Sequence, residues 1–125
     1  MSKEVALILV ADDEQDICDV LTIFLKKEGY ETGIAKLGDD AIEKFKKKKP
    51  SLVFLDIKLP DLDGIEVLKK MKEIDPEIPV IMITAYRDAE RVVSAFRLGA
   101  YDCIFKPFDF KYIKISMLDA IGKKK

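Results

Sequence analysis

The chain has 125 residues, room for one domain around one core and too few for a second substantial unit. Hydrophobic residues make up 49% and charged residues 36%, enough to fill an interior beneath a well-solvated surface, which excludes disorder as the main state. The 22 basic and 23 acidic side chains leave a net charge of -1, so the overall balance draws the chain neither to nucleic acid nor to an anionic membrane.

The predicted elements alternate. Ala6 to Val10 reads as a first strand, followed by Asp12 and Asp13. Ile17, Val20, Leu21, Phe24 and Leu25 recur with helical spacing and stop at Glu28-Gly29. A weaker extended stretch from Tyr30 to Ala35 is the second strand. Ala41, Ile42 and Phe45 mark a second helix ended by Pro50, with Lys46 to Lys49 as its solvated end, where the helix dipole favours cations. Leu52 to Leu55 is the third strand, with Asp56 next. Ile65, Leu68, Met71 and Ile74 mark a third helix closed by Asp75-Pro76. Val80 to Ile83 is the fourth strand, followed by Thr84; Ala89, Val92, Val93 and Phe96 then mark a helix ended at Gly99. Cys103 to Phe105 is the fifth strand, with Lys106 after it, and Phe110, Ile113, Met117 and Ile121 mark the last helix, which runs out into Lys123 to Lys125.

Five strands alternating with five helices predict a doubly wound α/β domain over residues 1-125, with a parallel sheet covered on both faces by right-handed crossovers. The longest apolar run, Val5 to Ala11, is strand-length, well short of the roughly 18 residues of a membrane span, and no signal-peptide n-region precedes it. A cytoplasmic location follows as the expectation. Cys18 and Cys103 lack metal-ligand spacing and read as buried reduced thiols. Histidine is absent, which removes Ser-His-Asp and Cys-His catalysis, imidazole metal sites and any phosphohistidine on this chain.

In open sheets of this kind the functional crevice lies beyond the carboxyl ends of the strands. Here those positions carry Asp12, Asp13, Asp56, Thr84 and Lys106. Singly each has a local explanation: an Asp after a strand caps a helix or makes a turn, Thr84 caps the next segment, and Lys106 is a surface residue before Pro107. Their joint placement at four strand ends separates the functional reading from these. Carboxylates gathered within a few ångströms repel, so a cluster kept ionised at neutral pH needs a cation. Oxygen-only ligands in small number suit Mg2+. The expected site uses Asp13 and Asp56 directly and Asp12 largely through water. A strand-end carboxylate can also attack a phosphoryl group, with Lys106, Thr84 and backbone N-H groups such as that of Ala85 meeting the phosphoryl oxygens.

With these residues in view, the chain resembles the receiver domain of two-component response regulators from about Ala6 to Ile121. The motifs are the LILVADDE block, FLDIKLPDLDG, VIMITAY and the IFKPF block, in that order. The stretch IKLPDLDGIEVLKKMKEID is similar to single-domain sporulation-type phosphorelay regulators and to receivers of sigma-54 activators. The resemblance implies a flavodoxin-like (βα)5 fold with strand order 2-1-3-4-5. It implies Asp56 as phosphoacceptor, Asp12 and Asp13 as the acidic pocket, and the backbone carbonyl of Lys58 as a metal ligand beside Asp13 and Asp56. Thr84 becomes the switch hydroxyl and Lys106 the phosphate-binding lysine, with a cis peptide before Pro107. The implied partner is a sensor histidine kinase or histidine phosphotransfer protein, met near Gln15 to Val20; the output partner is unknown. The implied output surface comprises Arg87 to Arg97, Tyr101 to Phe105 and Lys111 to Met117, and Lys58 and Tyr86 are placed to restrict water at the phosphoryl site.

Two positions depart from the family pattern. Receivers usually carry Tyr or Phe three residues before the lysine, where this chain has Cys103; Tyr101, two residues earlier, is expected on the same strand face. Asp61 stands where many relatives have Gly, while Gly64 is retained. Cys103 motivates an alternative, a receiver-like interaction module without productive phosphorylation. A haloacid-dehalogenase-type phosphohydrolase normally has a second Asp two residues after the nucleophile, and here that residue is Lys58. The expectation is therefore a signalling phosphoacceptor rather than an enzyme acting on free substrates.

Overall fold

The computed structural model describes residues 5-85 and 89-123. Tyr86, Arg87, Lys124 and Lys125, which the sequence reading singled out, lie outside these. The elements are β1 (Leu7–Ala11), α1 (Gln15–Lys27), β2 (Glu31–Ala35), α2 (Gly38–Lys48), β3 (Leu52–Asp56), α3 (Gly64–Ile74), β4 (Val80–Thr84), α4 (Ala89–Arg97), β5 (Asp102–Phe105) and α5 (Phe110–Lys123). The strands pair in parallel in the order β2-β1-β3-β4-β5, as expected for this alternation. In register, Ala11 lies beside both Ala35 and Leu55, Asp56 beside Ile83, and Thr84 beside Phe105, so the polar residues at the strand ends share one margin of the sheet.

Successive strand side chains point to opposite faces, and this divides the interior in two. On one face Ile8, Val10, Phe54, Ile81, Ile83 and Ile104 pack with Leu21 and Leu25 of α1 and Ile113 and Met117 of α5. On the other, Leu9, Val53, Leu55, Val80 and Met82 meet Phe45 of α2, Leu68 and Met71 of α3 and Ala95 of α4. Strands β3 and β4 are buried at every position, which is why they read as unbroken apolar runs.

Helix ends follow the local chemistry. Gly29 and Gly99 take positive φ after α1 and α4, and Lys49 does the same before Pro50. Asp63 caps α3 by accepting from Ile65 N at 2.9 Å. The apolar stripe of α1 packs largely as expected, with Ile17 and Phe24 half-buried beside Leu21 and Leu25, whereas that of α4 is turned from its expected direction. In α1 the residues facing the sheet are Cys18, Leu21 and Leu25, while Val20 points to solvent. In α4 the buried residue is Ala95; Val93 and Phe96 are 48% and 47% exposed. A small side chain lets that short helix approach the sheet, and its larger apolar residues are left on the outer ridge.

The sequence also placed Tyr101 on the same face as Cys103, and the structure corrects this. Tyr101 packs in the layer of α1 and α5, whereas Cys103 packs against the opposite one. Strand β5 begins at Asp102, so Tyr101 sits in the bend before it, where strand alternation does not yet apply. The peptide between Lys106 and Pro107 is cis, as the resemblance implied. No helix among the described residues is long and apolar enough to cross a membrane.

Candidate functional site

Beyond the strand ends lies an open cavity of about 570 Å3, lined by Asp13, Glu14, Asp56, Lys58, Leu59, Pro60, Ala85 and Lys106. Two expected residues, Asp12 and Thr84, are not among its lining side chains. Asp12 is fully buried beneath it, and Thr84 is fully buried at the end of β4, one residue before Ala85. The carboxylates of Asp12, Asp13 and Asp56 each offer an oxygen within 4.8 Å of the others, so the three expected to cluster do so.

Lys106 ties Asp12 and Asp56 of this group to Glu14. Its ammonium lies 2.7 Å from Asp12 Oδ2, 2.8 Å from Glu14 Oε1 and 3.2 Å from Asp56 Oδ2. Burial alone pulls the lysine pKa down, but hydrogen bonds to Asp12 and Glu14 and the charge of Asp56 outweigh it, and the pKa rises above the ordinary value. Asp56 moves the other way from a usual acid. Burial first, and the Asp12 charge second, push it up to about 6, against the opposing pull of Lys106 and of the Lys58 N-H that donates to Asp56 Oδ1 at 3.2 Å. A carboxylate so raised is short of positive charge, and the donor set is all oxygen; both fit a hard divalent cation.

The surrounding loops are fixed by contacts of short reach. Glu14 N donates to Asp12 Oδ1 at 2.9 Å, and the Cys18 thiol donates to the Asp12 carbonyl at 3.3 Å. Burial and the Asp12 charge raise the Cys18 pKa, so the buried thiol remains protonated. The β3-α3 loop closes on itself through an isolated antiparallel backbone β-bridge between Lys58 and Asp63 and a 2.6 Å hydrogen bond from Gly64 N to the Ile57 carbonyl. A Cβ at Gly64 would meet the Asp56 carbonyl oxygen at 2.1 Å, which explains why glycine stands there. Arg91 of α4 pairs with Asp63 at the end of the same loop.

Asp61 proves to have a function in the architecture. Its two carboxylate oxygens accept from Gly38 N at 2.7 Å and Asp39 N at 3.1 Å, capping α2, whose own N-cap residue Leu37 offers no side-chain acceptor. Those two N-H groups hold the Asp61 pKa below the ordinary carboxylate value. The contact of Glu14 with Lys106 is the functional feature that residue spacing left unseen. It spans 92 positions, and its one sequence signal is that Glu14 extends the Asp12-Asp13 pair.

The family model for the response regulator receiver domain matches residues 8-117 of this chain. The chain belongs to the response regulator receiver family. It is similar to sporulation initiation phosphotransferase F of Bacillus subtilis, with 42% identity over 116 residues covering 93% of this chain and 90% of that protein. It is also similar to the transcriptional regulatory protein ZraR of Klebsiella oxytoca, with 39% identity over 98% of this chain but only 28% of ZraR. Against several of its curated relatives, then, this receiver spans about a quarter of their length. Among solved structures, a CheY-like receiver domain protein from Methanospirillum hungatei JF-1 superposes with a TM-score of 0.93 at 30% identity, covering 97% of each chain. As a receiver, the chain is a phosphoacceptor module of two-component signalling.

Proposed function

We propose that this receiver takes a phosphoryl group from a phosphohistidine of a sensor kinase or phosphotransfer protein onto Asp56, in the cytoplasm, with Mg2+ present. The observation that carries the reading is the convergence of Asp12, Asp13 and Asp56 within 4.8 Å of one another, with the Lys106 ammonium 3.2 Å from Asp56 Oδ2. In the reaction an Asp56 carboxylate oxygen forms a bond to phosphorus as the P-N bond breaks, and the imidazole leaves with the electron pair. Asp13, Asp56 and the Lys58 carbonyl would hold Mg2+, with Asp12 acting through water; the ion supplies positive charge to the phosphoryl oxygens.

The chain's own groups do the rest. Lys106 offers a point charge to a phosphoryl oxygen, and the Thr84 hydroxyl and Ala85 N-H supply donors at the end of β4. Asp56 keeps only 5% exposure and meets solvent solely through the cavity it lines. Lys58, exposed at the cavity wall, restricts the approach of hydrolytic water to the phosphoryl group. The domain thus catalyses its own phosphotransfer and dephosphorylation and turns over no free phosphomonoester. Phosphorylation changes partner binding through α4, β5 and α5, and the phosphohistidine donor docks near α1.

The test is incubation with a small acyl phosphate and Mg2+, followed by mass spectrometry. Wild type gains the mass of one phosphoryl group and Asp56→Asn does not. A wild-type protein that stays unmodified over a wide range of donor and metal concentrations ends the reading.

A further inference from the structure

A lysine ammonium carries three hydrogens, and in this domain three carboxylates surround it. These partners are not equivalent. Asp12 is fully buried and Asp56 nearly so, whereas the Glu14 side chain is 57% exposed and stands at the rim of the cavity. The backbone of Glu14 is fixed, because its N-H is held by Asp12 Oδ1 and it is the N-cap residue of α1. Only side-chain torsions separate its carboxylate from open solvent.

We propose that Glu14 is a positioning residue that occupies one donor of Lys106 in the unphosphorylated domain and yields it to a phosphoryl oxygen on Asp56. This rests on the reading of Asp56 as phosphoacceptor. A phosphoryl group arriving at Asp56 brings anionic oxygens that need donors, and Lys106 can meet a new one only by releasing a present partner. Releasing Asp12 would leave a buried anion whose Oδ2 makes no other hydrogen bond. The donor on Asp56 Oδ2 passes to the phosphoryl group as that oxygen loses its anionic character, so a second phosphoryl oxygen can be met only at the expense of Asp12 or Glu14. Glu14 is the partner that water can take over, since exposed ion pairs differ little in free energy from their hydrated halves. Lys106 is therefore kept aimed at the site before the reaction, and the exchange costs least at Glu14.

Labelling Glu14 with 13C at its carboxyl carbon and Lys106 with 15N at Nζ gives a direct readout that does not depend on turnover. In wild type, the Lys106 ammonium protons should exchange slowly with water, and Glu14→Gln should speed that exchange while the fold is intact. Adding fluoroberyllate with Mg2+, a stable mimic of the phosphoryl group, should move the Glu14 carboxyl signal to the position of a free carboxylate. With Lys106 less firmly aimed, Glu14→Gln should also slow phosphorylation by a small acyl phosphate, about twofold to fivefold. Glu14→Asp, one methylene too short to reach, should resemble Glu14→Gln and not wild type. If fluoroberyllate binds at Asp56 and the Glu14 signal does not move, the positioning role is wrong and the phosphoacceptor reading survives. If fluoroberyllate fails to bind wild type at all, both fall.

Discussion

Asp56 is held in an environment that opposes its own charge. Its native pKa of about 6 lies above the 3.8 of an unperturbed Asp, through burial and then the Asp12 carboxylate. Below pH 3.8 the group is protonated folded or unfolded and costs nothing. Between 3.8 and 6 the unfolded chain releases its proton first, so stability falls as pH rises, and above 6 the full cost is present. Asp56→Asn is therefore expected to stabilise the metal-free domain at pH 7 by on the order of 1–3 kcal/mol, with the gain vanishing near pH 4. Urea melts in chelator at the two pH values measure this; an equal gain at both would refute the cause assigned here. The strand-end residues Asp56, Thr84 and Lys106 were legible in the sequence because each follows an apolar run that announces a buried strand. The reach of Lys106 to Glu14 was not, since a contact across 92 positions has no periodicity to read. The face of Tyr101 was misjudged for a related reason: a bend before β5 resets the alternation, and nothing in the residue pattern marks where the strand begins.

At the scale of elements, the β3-α3 loop is the piece on which the site depends. It is joined to α2 by Asp61, to α4 by the pair of Asp63 and Arg91, and to the end of β3 by the close approach of Gly64. Gly64→Ala would drive a methyl group into backbone, which cannot yield as a side chain can, so we expect a loss of about 1–3 kcal/mol or more together with weakened Mg2+ binding. At Gly38 an added Cβ meets side chains of Leu62 and Val67, so Gly38→Ala should cost less; calorimetric melts of both variants test the order. All five strands and five helices could be placed from apolar period and breaker residues, with ends shifted by a residue or so. What periodicity failed to give was the rotation of α4 about its axis and the outward place of Val20 in α1. Apolar residues lie on more than one face of each, and packing against a sheet chose Leu21 and Ala95 over Val20 and Phe96.

For the whole molecule, the acidic pocket links ligand binding to folding. A cation that binds the folded pocket and not the unfolded chain stabilises by about 2.7 kcal/mol at one hundred times its dissociation constant. Mg2+ should therefore raise the melting temperature of wild type and do little for Asp13→Asn; equal shifts in both would show that the ion acts elsewhere. Stability is also unevenly spread. Strands β3 and β4 are buried throughout, whereas α4 is nine residues long and buries Ala95 alone among its described side chains. Amide hydrogen exchange should accordingly find α4 opening well before the central strands, and matched protection would contradict that.

The light seating of α4 makes it a lever with two handles. Its outer ridge presents Val93 and Phe96, while its inner end grips the β3-α3 loop through Arg91. Linkage then obliges the two ends to be reciprocal. A macromolecule that captures the ridge in one seating of the helix favours the pocket state that prefers that seating, by the same factor with which the pocket state tightens the capture. A signalling complex built on this domain would therefore be biased by its own reader: the listener, once engaged, shifts the balance toward the message it reads.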